Sequence, residues 1–244
     1  MSVVLVTGAS SGIGAAIAIA FAEDGWDVMA AGRDEGRLEE VADVSEKIVT
    51  WAGDLADAED CDELIAETLD EFGQIDCLVN NAGIFIRGTV PDTSDEDWRH
   101  TMTVNLDVPF FLSRAALPHL LITEGSIINI ASDWGLKGGE RAAAYCASKG
   151  GLVLLTKAMA KDHARQGLRV NAVCPGDVDT PMLAAEAKAE GMELDDYLEE
   201  SSEAVPSGRV GEPEEVASLT LFLASSAAMH INGTTILIDG GASA

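Results

Sequence analysis

The chain has 244 residues, with 42 Asp and Glu against 15 Lys and Arg, for a formal net charge of −27. A surface this negative repels phosphate backbones and anionic lipid, which argues against nucleic-acid and membrane-surface roles. Hydrophobic residues nonetheless make up 47% of the chain and mean hydropathy is +0.14. This excludes a disordered acidic chain, which combines high charge with low hydrophobicity.

The elements alternate from the start. Val3 to Val6 is an apolar run ending in a Thr-Gly turn, and Ile13 to Ala22 is apolar at helical spacing. Asp27 to Ala31 predicts a second strand, Asp34 to Val41 a short helix, and Glu46 to Trp51 a third strand. From Asp57 to Phe72, apolar residues recur every three or four positions among acids, the pattern of a helix with one buried face. Ile75 to Val79 predicts strand four. Asp95 to Leu121 reads as one long helix, kinked at Pro109 and ending near Pro118. Ser126 to Ile130, Leu168 to Val173 and Thr234 to Ile238 read as strands. Ala142 to Arg165 and Pro213 to Ala224 read as helices, and the acidic stretch 177–206 is helix-prone. Short apolar runs alternating with helices predict an α/β fold: a doubly wound parallel sheet, Rossmann-like, with helices on both faces. No linker or repeat divides residues 1–244, so a single domain is expected.

Four scattered cysteines without a C-x-x-C pair predict neither a disulfide framework nor a zinc site, and the spacing of the four histidines suggests no metal site. The N-terminus reads as a strand rather than a secretory signal, and no run of about 18 apolar residues exists, so a cytoplasmic location is expected. Only six lysines accompany the acids. That balance fits a salt-adapted (halophilic) protein, since at about 1 M salt the Debye length falls to about 3 Å and surface repulsion is screened. An ordinary acidic protein that tolerates its charge is the plainer alternative. The charge is also uneven. Residues 1–22 carry no charged side chain, whereas residues 54–76 hold ten acids and no Lys or Arg.

The uncharged start contains Thr7, Gly8, Ala9, Ser10, Ser11, Gly12, Ile13 and Gly14 between the first strand and the first helix. Glycines there let the backbone approach a pyrophosphate, and the helix N-terminus supplies free N–H groups and a positive dipole. A dinucleotide site follows from that context. Tyr145 and Lys149, four apart on a predicted helix, share one face. An ammonium beside a phenol favours the phenolate, so such a tyrosine can exchange a proton with an alcohol oxygen near neutral pH. Ser132, just after strand five, can hold the same oxygen. Alone, a Tyr/Lys pair and a loop serine are common surface features; beside the glycine turn they are read as catalytic.

The G-x-x-x-G-x-G turn, Asn80-Asn81-Ala82-Gly83, Y-x-x-x-K at Tyr145 and Lys149, and Pro175-Gly176 together resemble the short-chain dehydrogenase/reductase family over essentially the whole chain. The resemblance implies an NAD(P)-dependent oxidoreductase interconverting a secondary alcohol and a ketone. It implies Tyr145 as general acid/base, Lys149 as the residue that lowers its pKa and binds the nicotinamide ribose, and Ser132 as the group that polarises the carbonyl. Asn105 matches the family asparagine that anchors a water linking Lys149 to solvent. Cofactor contacts are implied for Gly8, Ser10, Ser11, Gly12, Ile13 and Gly14 in the first turn. Asp54 and Leu55 are implied at the adenine, Asn81, Ala82 and Gly83 at the cleft, and Pro175, Gly176, Val178 and Thr180 near the carboxamide. After strand two, Gly32 occupies the usual acid position and Arg33 follows, a pattern implying NADP(H) over NAD(H). Ser11, where many NADP enzymes carry a basic residue, and the adjacent Asp34 weigh the other way.

Residues 177–207 are expected to cover a small-molecule substrate. Trp134 either lines that pocket or simply packs, and Cys146 reads as packing. The resemblance also implies a homotetramer, joined through the long helices from Asp95 and Ala142 and the last strand. One alternative is a 3-oxoacyl-(acyl-carrier-protein) reductase, which needs a basic docking patch. The stretch 120–125 has no Arg or Lys, though Arg165 and Arg169 are candidates. A second is a non-catalytic dinucleotide sensor, which has no need of Tyr145 and Lys149.

Overall fold

Seven strands, Val3–Thr7 (β1), Asp27–Gly32 (β2), Ile48–Ala52 (β3), Cys77–Asn80 (β4), Ser126–Ile130 (β5), Arg169–Pro175 (β6) and Thr235–Ile238 (β7), form one sheet in the computed structural model, which describes residues 2–244. All are parallel, in the order β3-β2-β1-β4-β5-β6-β7. The expected doubly wound α/β fold is therefore present.

The apolar runs are continuous because both faces of the sheet are covered. Val4, Val6, Val28, Ala30, Cys77 and Val79 enter one core with Ile17 and Phe21 of helix α1 (Gly12–Glu23). Leu38 of α2 (Glu35–Ala42) and, from the last long helix, Val216 and Leu223 complete that layer. The intervening Leu5, Met29, Ala31 and Leu78 enter the opposite core. There they meet Cys61, Leu64 and Ile65 of α3 (Ala58–Phe72). Burying one such aliphatic side chain contributes about 1.5–3 kcal/mol. A one-residue slip of register would turn each set onto the wrong layer.

One element departs from expectation. The single helix from Asp95 is three pieces: α4 (Asp95–Met102), a π turn over Thr103–Asp107, and α5 (Val108–Thr123). Pro109 lacks a backbone donor, and the wider turn absorbs that loss, with Val108 N–H donating to the Thr103 carbonyl. Pro118 does not end α5 but lies inside it. Leu112, Ala116 and Leu120 are fully buried along that helix, and their burial outweighs one missing hydrogen bond. The helix stops instead at Glu124, in the left-handed region at φ 50°, with Gly125 N–H returning to the Leu120 carbonyl at 2.9 Å.

The remaining helices are α6 (Ala143–His163), α7 (Pro181–Glu190), α8 (Leu194–Ala204) and α9 (Pro213–Ala224). The stretch 177–206 thus contains two helices, with Thr180 capping α7 through a 3.4 Å bond from Leu183 N–H. No helix among the described residues is long and apolar enough to cross a membrane.

Candidate functional site

The strand order reverses between β1 and β4, and the loops leaving those two strands diverge there. Open parallel sheets bind ligands at the carboxyl ends of the strands beside such a reversal. A cleft of about 310 Å³ lies at this point.

Two side chains lock the loops around it. The Thr7 hydroxyl accepts from the N–H groups of Asn81 and Ala82, each at 3.1 Å. Asn81 Nδ2 donates back to the carbonyls of Thr7 at 2.9 Å and Gly8 at 3.2 Å. Gly14 is required by proximity, because a Cβ there would lie 2.2 Å from the Gly8 carbonyl oxygen. Ser11 begins α1 without a side-chain cap, and no acid sits in the first turn. The N-terminal N–H groups of α1 therefore have no side-chain partner, which suits a bound anion. Ser10, Gly12 and Ile13 complete this wall of the cleft.

Beyond β2, Arg33 lines the cleft, is exposed, and has no ion-pair partner among the described residues. Asp34 is otherwise engaged. It caps α2 by accepting from Arg37 N–H at 3.1 Å, and its other oxygen lies 3.4 Å from Arg37 Nε. Asp54 and Leu55 line the same end. Asp54 does not cap α3, since Asp57 does so in a capping box with Asp60.

The chemistry-bearing residues meet across β4, β5 and α6. Tyr145 and Lys149 lie one turn apart, with Lys149 Nζ 5.8 Å from the phenol ring centroid. Lys149 is 4% exposed and donates to the Ile130 carbonyl at 2.8 Å. Gly83 makes room for it, because a Cβ there would stand 3.3 Å from Nζ. Burial brings the Lys149 ammonium down to about 8. Burial also pushes the Tyr145 phenol above its ordinary value, with a hydrogen bond to Ser132 pulling it back and Glu186 and Asp133 adding to the rise. Desolvation outweighs the lowering of the phenol that was expected from Lys149. The ammonium is turned under the ring to Ile130, and desolvation dominates.

Ser132 sits at the end of β5, its hydroxyl accepting from Trp134 N–H at 3.1 Å and donating to Asp133 at 3.1 Å. Asn105 does not line the cleft. It is fully buried behind it in the π turn, donating to the Ile84 carbonyl at 2.9 Å and Ser148 Oγ at 3.1 Å and accepting from Ile84 N–H at 2.8 Å. Asn105 thus pins the loop after Gly83 to the helix that carries Tyr145. Pro175, Gly176, Val178 and Thr180 line the cleft after β6.

Trp134 both lines the cleft and packs. Its ring centroid lies 5.7 Å from Phe85 and 6.2 Å from Tyr145, edge to face. Cys146 Sγ accepts from Gly139 N–H at 3.2 Å, a packing role. Arg169 is withdrawn from any docking patch, because it donates to the carbonyls of Leu223 at 2.5 Å and Ala224 at 3.0 Å at the end of α9. Phe85, Asp133, Asp177 and Glu186 also line the cleft, and sequence reasoning assigned none of them. Phe85 and Asp133 adjoin assigned motifs, which is the only signal they carry. Among the described residues no group of three His, Cys, Asp or Glu side chains is placed to hold a metal ion.

Comparison with known proteins bears on this arrangement. The family model described as enoyl-(acyl carrier protein) reductase matches residues 8–243. A meso-2,3-butanediol dehydrogenase of Serratia marcescens is 42% identical over 244 residues, covering 99% of this chain and 94% of that protein. Two solved structures superpose closely. The ligand-free aldohexose dehydrogenase of Thermoplasma acidophilum gives a TM-score of 0.92 at 36% identity, over 99% of this chain and 94% of that one. A tryptophan variant of the actinorhodin polyketide ketoreductase, with NADPH, gives 0.94 at 33% identity, over 99% and 97%.

Proposed function

The chain belongs to the short-chain dehydrogenase/reductase family, and on that premise we propose an NADP(H)-dependent oxidoreductase that interconverts a secondary alcohol and a ketone. The observation that carries the reading is that the half-buried Tyr145 lines, with Ser132 and Lys149, one cleft that opens onto the glycine turn. The cleft fits a dinucleotide. The first turn has no room for a Cβ at Gly14, the N-terminus of α1 has no side-chain cap, and Arg33, beyond β2, has no ion-pair partner among the described residues. When bound, the nicotinamide supplies or takes the hydride.

The protein handles the proton and the geometry. Burial keeps Tyr145 protonated at neutral pH, so it presents a proton to a ketone oxygen. Ser132, held by Trp134 N–H, turns its one hydroxyl proton from Asp133 to the same oxygen and lines it up. Lys149 holds a positive charge beneath the ring and stabilises the phenolate as it forms. Asn105 holds the two flanking segments together without meeting the substrate. The reverse direction needs the phenolate at the outset, so alcohol oxidation rises with pH.

Arg33 supports the preference for NADP(H), since a guanidinium matches a phosphate with paired donors. Gly32 leaves no acid to claim the 2′-hydroxyl, and Asp34 is tied to Arg37. Arg33→Ala is expected to lower the ratio of kcat/KM for NADPH to that for NADH about tenfold, the worth of one charge-assisted contact. Initial rates with both cofactors check this, and an unchanged ratio removes Arg33 from the site.

Several further readings belong to the same proposal. The chain acts as one domain, with residues 177–207 covering the substrate; Met182, Leu183 and Glu186 of α7 lie on the cleft wall. The assembly is a homotetramer, for which the exposed Phe110 of α5, Leu154 of α6 and Leu237 of β7 supply apolar surface. The location is cytoplasmic, and the acidic surface is an adaptation to high salt.

A further inference from the structure

The substrate end of the cleft holds three carboxylates, and their states differ. Asp133 is 6% exposed, accepts from Ser132 Oγ and Trp134 N–H, and pairs with Lys137 at 2.9 Å. Glu186 is paired with Arg87 at 3.2 Å, and Tyr197 donates to it at 3.5 Å. Arg87 also reaches Glu190, so this carboxylate is one link in a chain tying α7 and α8 to the loop after β4. Asp177 is exposed on the cleft wall and has no hydrogen bond or ion pair to its carboxylate among the described residues. It nevertheless lies close enough to Glu186 for its charge to raise that carboxyl. Desolvation by the surrounding cleft walls, then the charge of Asp133, hold the Asp177 carboxyl above the usual range although it is reached by solvent. Across from the acids, Phe85, Trp134 and Tyr145 meet edge to face, with Phe85 and Tyr145 centroids 5.1 Å apart.

A carboxylate is an acceptor only, so Asp177 calls for a donor on the substrate. It also disfavours a second anion, because like charges in a partly desolvated site repel. Asp133 and Glu186, already satisfied, add to that repulsion without offering a free acceptor. The aromatic edges suit a small carbon skeleton. We propose that Asp177 is a specificity-determining residue that accepts a hydrogen bond from a hydroxyl beside the reacting carbon, so that the substrate is an uncharged α-hydroxy ketone or vicinal diol and not a keto acid. The inference rests on the oxidoreductase reading and names the substrate class of that same site.

Four small ketones separate the outcomes: acetoin with a neighbouring hydroxyl, butanone without one, acetoacetate with a carboxylate, and aminoacetone with an ammonium. The experiment compares kcat/KM for each in the wild-type protein and in Asp177→Asn, at molar salt. A charge-assisted bond lost to a neutral one predicts that the acetoin/butanone ratio falls about tenfold, mainly through KM. The acetoacetate/butanone ratio is expected to rise by at least about threefold as one repelling charge disappears. Asp177→Glu, which keeps the charge, is expected to retain part of the acetoin preference. An Asp177→Asn protein with the wild-type ratios overturns the proposal, as does a wild type that uses acetoacetate as well as acetoin. A wild type that prefers aminoacetone assigns Asp177 to an ammonium and overturns the hydroxyl assignment. A wild type inert to all four with both cofactors contradicts the oxidoreductase reading itself, whereas turnover without discrimination sinks only the role of Asp177.

Discussion

Replacing Tyr145 with Phe is expected to lower kcat for ketone reduction by about 10²–10⁴-fold, the worth of a positioned general acid. The substitution removes one hydroxyl and little else. The ring keeps its edge-to-face neighbours Phe85 and Trp134, and Lys149 keeps its bond to the Ile130 carbonyl. Ser132 keeps its partners Asp133 and Trp134 N–H, so the carbonyl-orienting group remains in place. NADPH affinity, read by fluorescence titration, is therefore expected to stay within about threefold while turnover collapses. That split matters, because a variant that merely misfolds loses both. A Tyr145→Phe protein that retains its kcat assigns the proton to another group.

The second large effect concerns salt. The midpoint of thermal unfolding is expected to rise by about 10 °C or more between dilute buffer and molar KCl, which for a chain of this length corresponds to about 3–4 kcal/mol. The surplus of acid, 42 against 15 basic residues, is concentrated on helix exteriors. The outer face of α3 carries Glu59, Asp62, Glu63, Glu67 and Glu71, all exposed, while its inner face is buried. In dilute buffer the Debye length is about 30 Å at 0.01 M, so these charges act across the whole molecule. Molar salt confines each to its own neighbourhood. The cofactor end is spared, since α1 has no acid in its first turn. A midpoint that does not move with salt assigns the charge to ordinary tolerance and withdraws the salt-adaptation proposal.

Much of the fold was legible because both layers leave a mark. Strands covered on two faces must be apolar throughout, as at Val3 to Val6 and Val28 to Ala31, and helices covered on one face must not, as along α3. The glycine turn was legible because Gly14 is constrained locally by the Gly8 backbone, whereas the lock between Thr7, Gly8 and Asn81 joins loops more than 70 residues apart and shows only in the fold. The π turn at Thr103–Asp107 left no periodic signal, since five residues shift the phase by less than local composition does. Pro118 misled because propensity was read without burial, and the buried Leu112, Ala116 and Leu120 decide the matter. The net shift of the Tyr145 phenol was not legible for a related reason. Spacing puts Lys149 on the same face, but only the fold turns its ammonium to Ile130 and removes water from both groups. Asp177, at the start of a helix-prone acidic stretch, and Glu186, within α7, reach the cleft where an acid facing the site looks like any acid facing solvent.

The central claim is that this cleft joins cofactor oxidation to delivery of one proton to a ketone. The most direct test mixes the wild-type protein, in excess over NADPH at molar salt, with acetoin and with butanone, and follows the reduced-nicotinamide absorbance together with the product alcohol and the pH of a weakly buffered solution. The account predicts that NADPH is consumed with matching amounts of secondary alcohol formed and proton taken up. Absorbance that persists with both ketones, with NADPH and with NADH alike, contradicts it.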